Sequence, residues 1–269
     1  MKRILILGSS GQVGAALTKH LSKKYHVEEF DIVNNNSQDL RNRFVLDNLL
    51  QNTDFVFFLA FDVGGSTYLK QYQETKQFID NNMKIMLYTF ESLEKYKTPF
   101  IFASSQMANM SYSNYGILKH LGEKYTDILN AITVKFWNVY GVENDEEKFH
   151  VITDFIKAAK TKKHISIKTS GEEERQFLHA DDCCECLEIL MNKYSELDKT
   201  KNYHITSFEW TKIIDIAKII GSISDATYSV GESYDIQLNK KNEADPYILN
   251  FWKPKINLES GIRDIYNQI

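Results

Sequence analysis

Three runs of this chain are apolar at every position: Ile4-Leu5-Ile6-Leu7, Phe55-Val56-Phe57-Phe58-Leu59 and Phe100-Ile101-Phe102-Ala103. Such runs mark strands buried on both faces, as in a parallel sheet covered by helices. Ile132-Thr133-Val134-Lys135-Phe136 reads as a further strand, and a shorter one spans 27–30. Between the strands the apolar positions take helical spacing: a helix over about 12–24, one long helix within 69–96, and a helix after Tyr115 with Leu118, Leu121 and Tyr125 on one face. Strand and helix alternating in this way predicts an α/β chain with a doubly wound parallel sheet and right-handed crossovers. Beyond Gly141 the pattern loosens to a helix near 151–160 and a short strand over 165–168. These later segments read as additions at the carboxyl edge of the sheet, where ligands bind in such folds. The expected division is 1–140 plus 176–206 for the sheet domain, with 141–175 plus 207–269 forming a small C-terminal lobe.

The 269 residues suffice for such a domain and its lobe, and 43% hydrophobic with 25% charged residues is ordinary for a globular protein. A formal charge of −4 without a long basic run argues against a nucleic-acid partner. No apolar stretch reaches the roughly 18 residues of a membrane span, and the apolar start is too short for a signal peptide. All three cysteines fall in Asp182-Cys183-Cys184-Glu185-Cys186. A zinc site needs four ligands, usually as two separated pairs. No metal is expected; the thiols read as small side chains packing a helix capped by Asp181 or Asp182 and running toward Leu190. Reduced thiols suit a cytoplasmic protein.

Gly8-Ser9-Ser10-Gly11-Gln12-Val13-Gly14 lies between the first strand and the first helix, the context in which a glycine motif is credible. Gly8 permits a tight turn, Gly11 lets backbone approach phosphate, and Gly14 lets helix pack on strand. The helix start, from Ser10 through Gln12 and Val13, then offers N–H groups to a dinucleotide pyrophosphate. Asp31, 23 residues after Gly8, can accept hydrogen bonds from the adenosine ribose and would repel a 2′-phosphate, which selects NAD.

Tyr115-Gly116-Ile117-Leu118-Lys119 puts a phenol and an ammonium one helical turn apart. A free phenol has a pKa near 10, and lowering it by about three units takes roughly 4 kcal/mol of differential stabilisation. Lys119 and a nicotinamide cation could supply that. Ser105 is the choice for a hydroxyl beside the reacting oxygen, with Ser104 in reserve. The expected chemistry is redox at a hydroxyl or ketone, run against a nicotinamide.

With these motifs the chain resembles the extended short-chain dehydrogenase/reductase superfamily, in its nucleotide-sugar epimerase, dehydratase and reductase branch. That resemblance implies a Rossmann-type sheet domain and a C-terminal lobe that binds substrate. Asp39-Leu40-Arg41 is similar to the family's adenine-contacting segment, and Leu59-Ala60 to its turn under the cofactor. Asn82 matches an asparagine of the central helix, which the resemblance implies at the cofactor. Phe136-Trp137-Asn138-Val139-Tyr140-Gly141 resembles a signature whose asparagine borders the substrate; a structural hydrogen bond is the alternative role for Asn138. Arg175-Gln176-Phe177-Leu178-His179-Ala180-Asp181-Asp182 resembles a segment whose arginine touches a substrate diphosphate; a surface ion pair with 172–174 is the alternative for Arg175. A homodimer through the long helix and the Tyr115 helix is likewise implied. The loop Asp62-Val63-Gly64-Gly65-Ser66 faces nicotinamide or sugar on this reading, or its glycines serve a plain turn.

Two departures narrow the activity. Tyr115 follows Ser105 by only ten positions, an interval shorter than usual in the branch, which implies a more open or differently shaped sugar pocket. Ser105 is followed by Gln106-Met107, where 4,6-dehydratases carry an acidic pair, and no cysteine stands nearby as in 3,5-epimerases. Expected, then, is an NAD-dependent epimerase of a nucleotide-diphosphate sugar, acting at C4. The alternative is a reductase of a nucleotide-linked keto sugar, since Gly11-Gln12-Val13-Gly14 is similar to the Gly-Gln-Leu-Gly of keto-rhamnose reductases. A non-catalytic dinucleotide sensor is the reading from another class.

Overall fold

A computed structural model describes residues 1–233 and 242–269. In chain order its strands are β1 (Arg3–Leu7), β2 (His26–Phe30), β3 (Phe55–Phe58), β4 (Phe100–Ser105), β5 (Ile132–Phe136) and β6 (Asn138–Tyr140). They continue with β7 (His164–Ile167), β8 (Glu174–His179), β9 (Asn202–Ile205), β10 (Trp210–Lys212) and β11 (Thr227–Val230). The helices are α1 (Gln12–Leu21), α2 (Asp47–Leu50), α3 (Ser66–Tyr72), α4 (Lys76–Tyr96), α5 (Asn114–Ile128), α6 (Val151–Lys162), α7 (Ala180–Asn192), α8 (Ile213–Ser224) and α9 (Leu258–Gln268).

Six strands form one parallel sheet in the order β2-β1-β3-β4-β5-β9. Its two faces account for the unbroken apolar runs. Ile4, Ile6, Phe55, Phe57, Ile101, Ala103, Ile132 and Val134 turn toward a core shared with Leu17 and Leu21 of α1 and Leu187 and Leu190 of α7. Leu5, Leu7, Val56, Phe58, Phe100 and Phe102 turn the other way, onto Phe78, Met86 and Phe90 of α4 and Leu118 of α5. Strand order reverses at β1, with β2 on one side and β3 on the other. The crevice at the carboxyl ends of β1 and β3 is therefore the place for a ligand.

Beyond β5 the chain builds a second sheet, in which β6 pairs parallel and β10 antiparallel with β8, and a parallel pair of β7 and β11. Their core gathers Ile152, Phe155 and Ile156 of α6, Ile216 and Ile220 of α8, Ile262 of α9, and Tyr140 and Phe177 from the second sheet. The expected lobe over 207–269 is divided: Ile248 and Trp252 pack instead on the α1–α7 face of the main sheet, beside Tyr203 and Ile205 of β9. Residues 234–241 of that lobe lie outside the described residues.

Local chemistry shifts several expected boundaries. The helical run of 69–96 is two helices, because Thr75 starts α4 by accepting the Phe78 N–H at 3.2 Å. The first helix stops at Leu21, and after four residues the chain enters β2 at His26. Neither aspartate caps α7. His179 does, with Nδ1 accepting the Asp181 N–H at 3.1 Å. Asp182 is buried and accepts the N–H groups of Lys255 and Ile256 at 2.9 and 2.8 Å, tying α7 to the segment before α9. The three cysteines are free, buried and part of the α1–α7 core. Among the described residues no three metal-ligating side chains gather, and no helix is long and apolar enough to cross a membrane.

If residues 246–252 belong to the main core, Trp252→Ala should destabilise the whole sheet domain, by about 3–5 kcal/mol. Urea unfolding checks this; a loss below about 1 kcal/mol would detach the segment from that core.

Candidate functional site

Three backbones converge where β1 ends. Gly8 has φ +88°, and a Cβ there would lie 2.7 Å from the Ala60 nitrogen at the end of β3. A Cβ on Gly14 would lie 2.0 Å from the Gly8 carbonyl oxygen, so α1 can start against the strand end only with glycine there. Gly11 differs. A Cβ there would meet nothing nearer than the Gly8 oxygen at 3.5 Å, so packing within the chain does not require this glycine. Gly11 is also the N-cap of α1, which has no side-chain cap and no acidic residue in its first turn. Its first N–H groups are left for an anion. The hydroxyls of Ser9 and Ser10 are buried without partners among the described residues. An open cradle, an uncapped helix and two unpaired hydroxyls fit a dinucleotide pyrophosphate. The Val13 side chain packs on the α1–α7 core. The Gln12 amide bridges to β6, donating to the Val139 carbonyl at 3.1 Å and accepting the Gly141 N–H at 3.2 Å. Both residues therefore face the cradle with backbone only.

Asp31 fastens this loop to the end of β2: its carboxylate accepts the Ser10 N–H at 2.9 Å and the Val33 N–H at 3.0 Å. Two lone pairs per oxygen leave capacity for ribose hydroxyls. Asp39 is gripped by Arg41, which donates its backbone N–H, Nε and Nη2 at 2.9 Å each. The guanidinium holds the Asp39 carboxyl below the usual carboxylate range. Leu40 between them is buried with Leu5 and Leu7. The Leu59 N–H extends the sheet to the Leu7 carbonyl at 3.0 Å, which sets Ala60 under Gly8.

Asn82 is fully buried and does not face the cleft, unlike the contact expected of it. Its Oδ1 accepts the Asp62 N–H at 2.7 Å, and its Nδ2 donates to the Asp62 and Phe78 carbonyls. Its amide is thus spent within the chain, on the loop after β3 and on α4. The glycines of that loop answer to a close approach rather than to a plain turn. Gly65 donates to the Lys148 carbonyl at 3.0 Å, and a Cβ on it would lie 2.2 Å from the Phe149 oxygen.

At the end of β4 the two serines part. Ser104 is buried and its Oγ donates to Glu123 Oε1 at 2.5 Å, on the α5 side. Ser105 follows it around the strand end and caps a 3-10 turn over Gln106–Asn109, its Oγ accepting the Met107 N–H at 3.1 Å, with the Tyr115 phenol nearby. Ser104 is spent on Glu123, and Ser105 is the serine that acts on the phenol. Burial pushes the Tyr115 phenol up to about 12, with the nearby Ser105 hydroxyl acting the other way. Burial lowers the Lys119 ammonium to about 7. Lys119 Nζ donates to the Ala103 carbonyl at 2.6 Å and lies 5.9 Å from the Tyr115 ring centre. Phe61 completes the cluster, its ring 3.8 Å from Lys119 Nζ and edge-on to Tyr115 at 5.6 Å. No motif marks Phe61; only its place directly after Leu59-Ala60 could have. The short interval before Tyr115 is anchored on the α3–α4 junction, where Ser113 Oγ donates to Gln73 Oε1 at 2.8 Å and caps α5.

Asn138 and Arg175 stand on neighbouring strands, since Asn138 pairs with Phe177 two residues beyond Arg175. The Asn138 Oδ1 is buried without a partner among the described residues, and Arg175 Nη1 donates to the Glu174 carbonyl at 2.6 Å. Beside them Trp137 Nε1 donates to His204 Nδ1 at 3.3 Å, with Trp210 edge-on to Trp137 at 5.8 Å. Burial lowers His204 to about 4, which keeps its ring neutral and able to accept.

Comparison with known proteins follows the same lines. Residues 4–206 match the model of the NAD dependent epimerase/dehydratase family. A putative UDP-glucose 4-epimerase of Methanocaldococcus jannaschii is 29% identical over 167 residues, which is 58% of this chain. The match spans about half, 52%, of that curated relative's length. The epimerase Mth375 of Methanothermobacter thermautotrophicus superposes with a TM-score of 0.86 at 18% identity, covering 99% of this chain and 91% of that one. A GDP-6-OMe-4-keto-L-xylo-heptose reductase of C. jejuni gives 0.85 at 18% identity, covering 99% and 97%. At that identity these structures establish the shared fold.

Two expectations follow. Gly11→Ala should fold within about 1 kcal/mol of wild type yet bind NAD at least about tenfold more weakly, whereas Gly14→Ala should lose about 3 kcal/mol of stability. Calorimetry and urea unfolding separate the two; equal NAD affinity for Gly11→Ala would remove the cradle. For Lys119, lowered from 10.5 to about 7, the unfolded chain binds a proton that the folded chain lacks between those values. Cofactor-free wild type should then gain on Lys119→Met as pH rises, by about 2 kcal/mol between about pH 7 and 9. A pH-independent difference would show the ammonium to be solvated.

Proposed function

The chain belongs to the NAD-dependent epimerase/dehydratase family, an enzyme family, and from that we propose that it is a 4-epimerase of a nucleotide-diphosphate sugar. The observation that carries the reading is the cluster at the carboxyl edge: the buried Tyr115 phenol near the Ser105 hydroxyl, Lys119 one turn along with its Nζ on the Ala103 carbonyl, and a neutral residue after Ser105. That residue, Gln106, accepts from Asn242 Nδ2 through both its carbonyl and its side chain, at 2.7 and 2.6 Å. An amide cannot move a proton at a neighbouring carbon, so the cluster suits proton and hydride exchange at one carbinol rather than dehydration.

Gly8, Ser10, Gly11 and Gly14 would hold the pyrophosphate of NAD and Asp31 its ribose, with Asp39, Leu40, Leu59 and Ala60 shaping the crevice. Bound NAD supplies the hydride acceptor and donor. Tyr115 Oη takes the proton of the sugar hydroxyl and later returns it. Ser105 Oγ hydrogen-bonds the same oxygen and holds it while its charge changes. The Lys119 ammonium offsets the phenolate charge. Arg175, with its fixed fork of donors, meets the diphosphate, and Asn138 borders the sugar. Tying the short Ser105–Tyr115 interval to Gln73 leaves the sugar side uncovered by a longer loop, the room a keto sugar needs to turn. A second reading, reduction of a nucleotide-linked keto sugar, is favoured by the Gly11-Gln12-Val13-Gly14 string and uses the same residues once. The reading extends to a homodimer through α4 and α5, where Met83, Leu87 and Ile117 are exposed apolar side chains.

Denaturing freshly purified protein should release near-stoichiometric NAD, and Tyr115→Phe should cut turnover by at least about 100-fold while sparing NAD affinity. Protein purified empty that binds NADH would favour the reductase, and full turnover by Tyr115→Phe would overturn the assignment.

A further inference from the structure

Behind the cluster lies a buried charge pair with no part in the steps above. We propose that Glu123 is a positioning residue of the site: held by Lys135 and Ser104, its carboxylate keeps Lys119 charged and keeps the ends of β4 and α5 in register. This rests on the reading of Tyr115 and Lys119 as the proton-handling pair.

Glu123 follows Lys119 by four residues on α5, so both side chains lie on one face. Its side chain is 5% exposed, and Lys135, 4% exposed, places Nζ 3.2 Å from Oε1. Ser104 Oγ donates to the same oxygen. Lys135 Nζ also donates to Asn109 Oδ1 at 3.3 Å, in the turn that Ser105 caps. One carboxylate thereby joins α5, β4 and β5, and through Lys135 reaches the turn after Ser105. Stability alone is a poor reason for such a pair, because well-packed apolar residues of similar volume serve a core as well or better. Its location supplies a reason: one residue from Ser105 and one helical turn from Lys119.

The remaining titratable neighbours are few. On α5 they are Tyr115 and His120, the latter half-exposed with Nδ1 3.5 Å from Glu123 Oε2. From β9, His204 stands opposite Lys135 in the sheet and stays neutral, and Asp245 acts on His204 from the far side. The other faces of Lys119 are the Phe61 and Phe102 rings. Glu123 is therefore the nearby anion that opposes the desolvation of Lys119, and burial is what pulls that lysine down. Tyr115 lies a further turn away, so direct repulsion of the phenolate is weaker than the effect through Lys119. Removing the carboxylate leaves Lys119 less charged and the phenol harder to ionise.

The test titrates the Tyr115 phenol in NAD-loaded enzyme by tyrosinate absorbance, as the difference from Tyr115→Phe, and needs no sugar substrate. Glu123→Gln should move the Tyr115 midpoint up by about one pH unit, a tenfold loss of phenolate at fixed pH, and Glu123→Asp should recover most of the shift. A midpoint unmoved in Glu123→Gln, or moved equally in Glu123→Asp, overturns the proposal. Should Glu123→Gln not fold, Lys135→Gln decides: with the carboxylate freed of its counter-charge, the midpoint should fall, and an unmoved or raised midpoint overturns the proposal. A wild type without any Tyr115-dependent titration would instead sink the Tyr115–Lys119 reading itself, and an inactive enzyme with a normal titration would sink only the epimerase.

Discussion

Burial of the parallel sheet on both faces is the constraint from which the rest follows. With α1 and α7 on one side and α4 and α5 on the other, its interior leaves little room for unpaired polar side chains. Polar chemistry is displaced to the carboxyl edge, where strands hand over to helices and N–H groups lie unpaired. Ser9, Ser10 and Ser105 stand at such ends, and Asn138 opens β6 just past the end of β5. The edge is nevertheless tight enough to demand glycine at Gly8 and Gly14. Between those fixed points Gly11 alone is loose, so the cradle is an opening defined by crowded surroundings.

The same burial sets the electrostatics. A phenol raised toward 12 and a lysine lowered toward 7 are both displaced toward their neutral forms. In the proposed reaction a proton exchanged between sugar and phenol needs charge to return to this dry place. The cation of a bound nicotinamide, the Lys119 ammonium and the Ser105 hydroxyl would each act in that direction. On that reading chemistry and cofactor binding are coupled by electrostatics.

Much of this was legible in the sequence where one physical requirement dictates one residue type. Two-sided strands demand unbroken apolar runs, and the β1–α1 turn demands Gly8 and Gly14. What escaped depends on contacts between distant segments. Thr75 is one polar residue in a long helical pattern, and only its backbone turn shows it to be a cap. His179 displaced the aspartates as the α7 cap because Asp182 is claimed by Lys255 and Ile256, some seventy residues away. Asn82 lies on the expected helix but spends its amide on Asp62 and Phe78. Phe61, Glu123 and Lys135 form no local motif, since their partners lie on other elements. Ser104 and Ser105 part because successive side chains leave a strand end on opposite sides, one toward Glu123 and one toward the following turn.

The stitch between Gly65 and the 148–150 segment has a mechanical meaning. A backbone hydrogen bond backed by a contact too close for any side chain leaves the loop after β3 little freedom to slide against the sugar-side lobe. That loop also leads from Ala60, which lies under Gly8, and from Phe61 beside Lys119. On the proposed reading the two ligands would thus share one hinge: a lobe moving to admit a sugar would carry the loop beside the cofactor with it. An enzyme built so would favour a cofactor that stays put while substrates come and go.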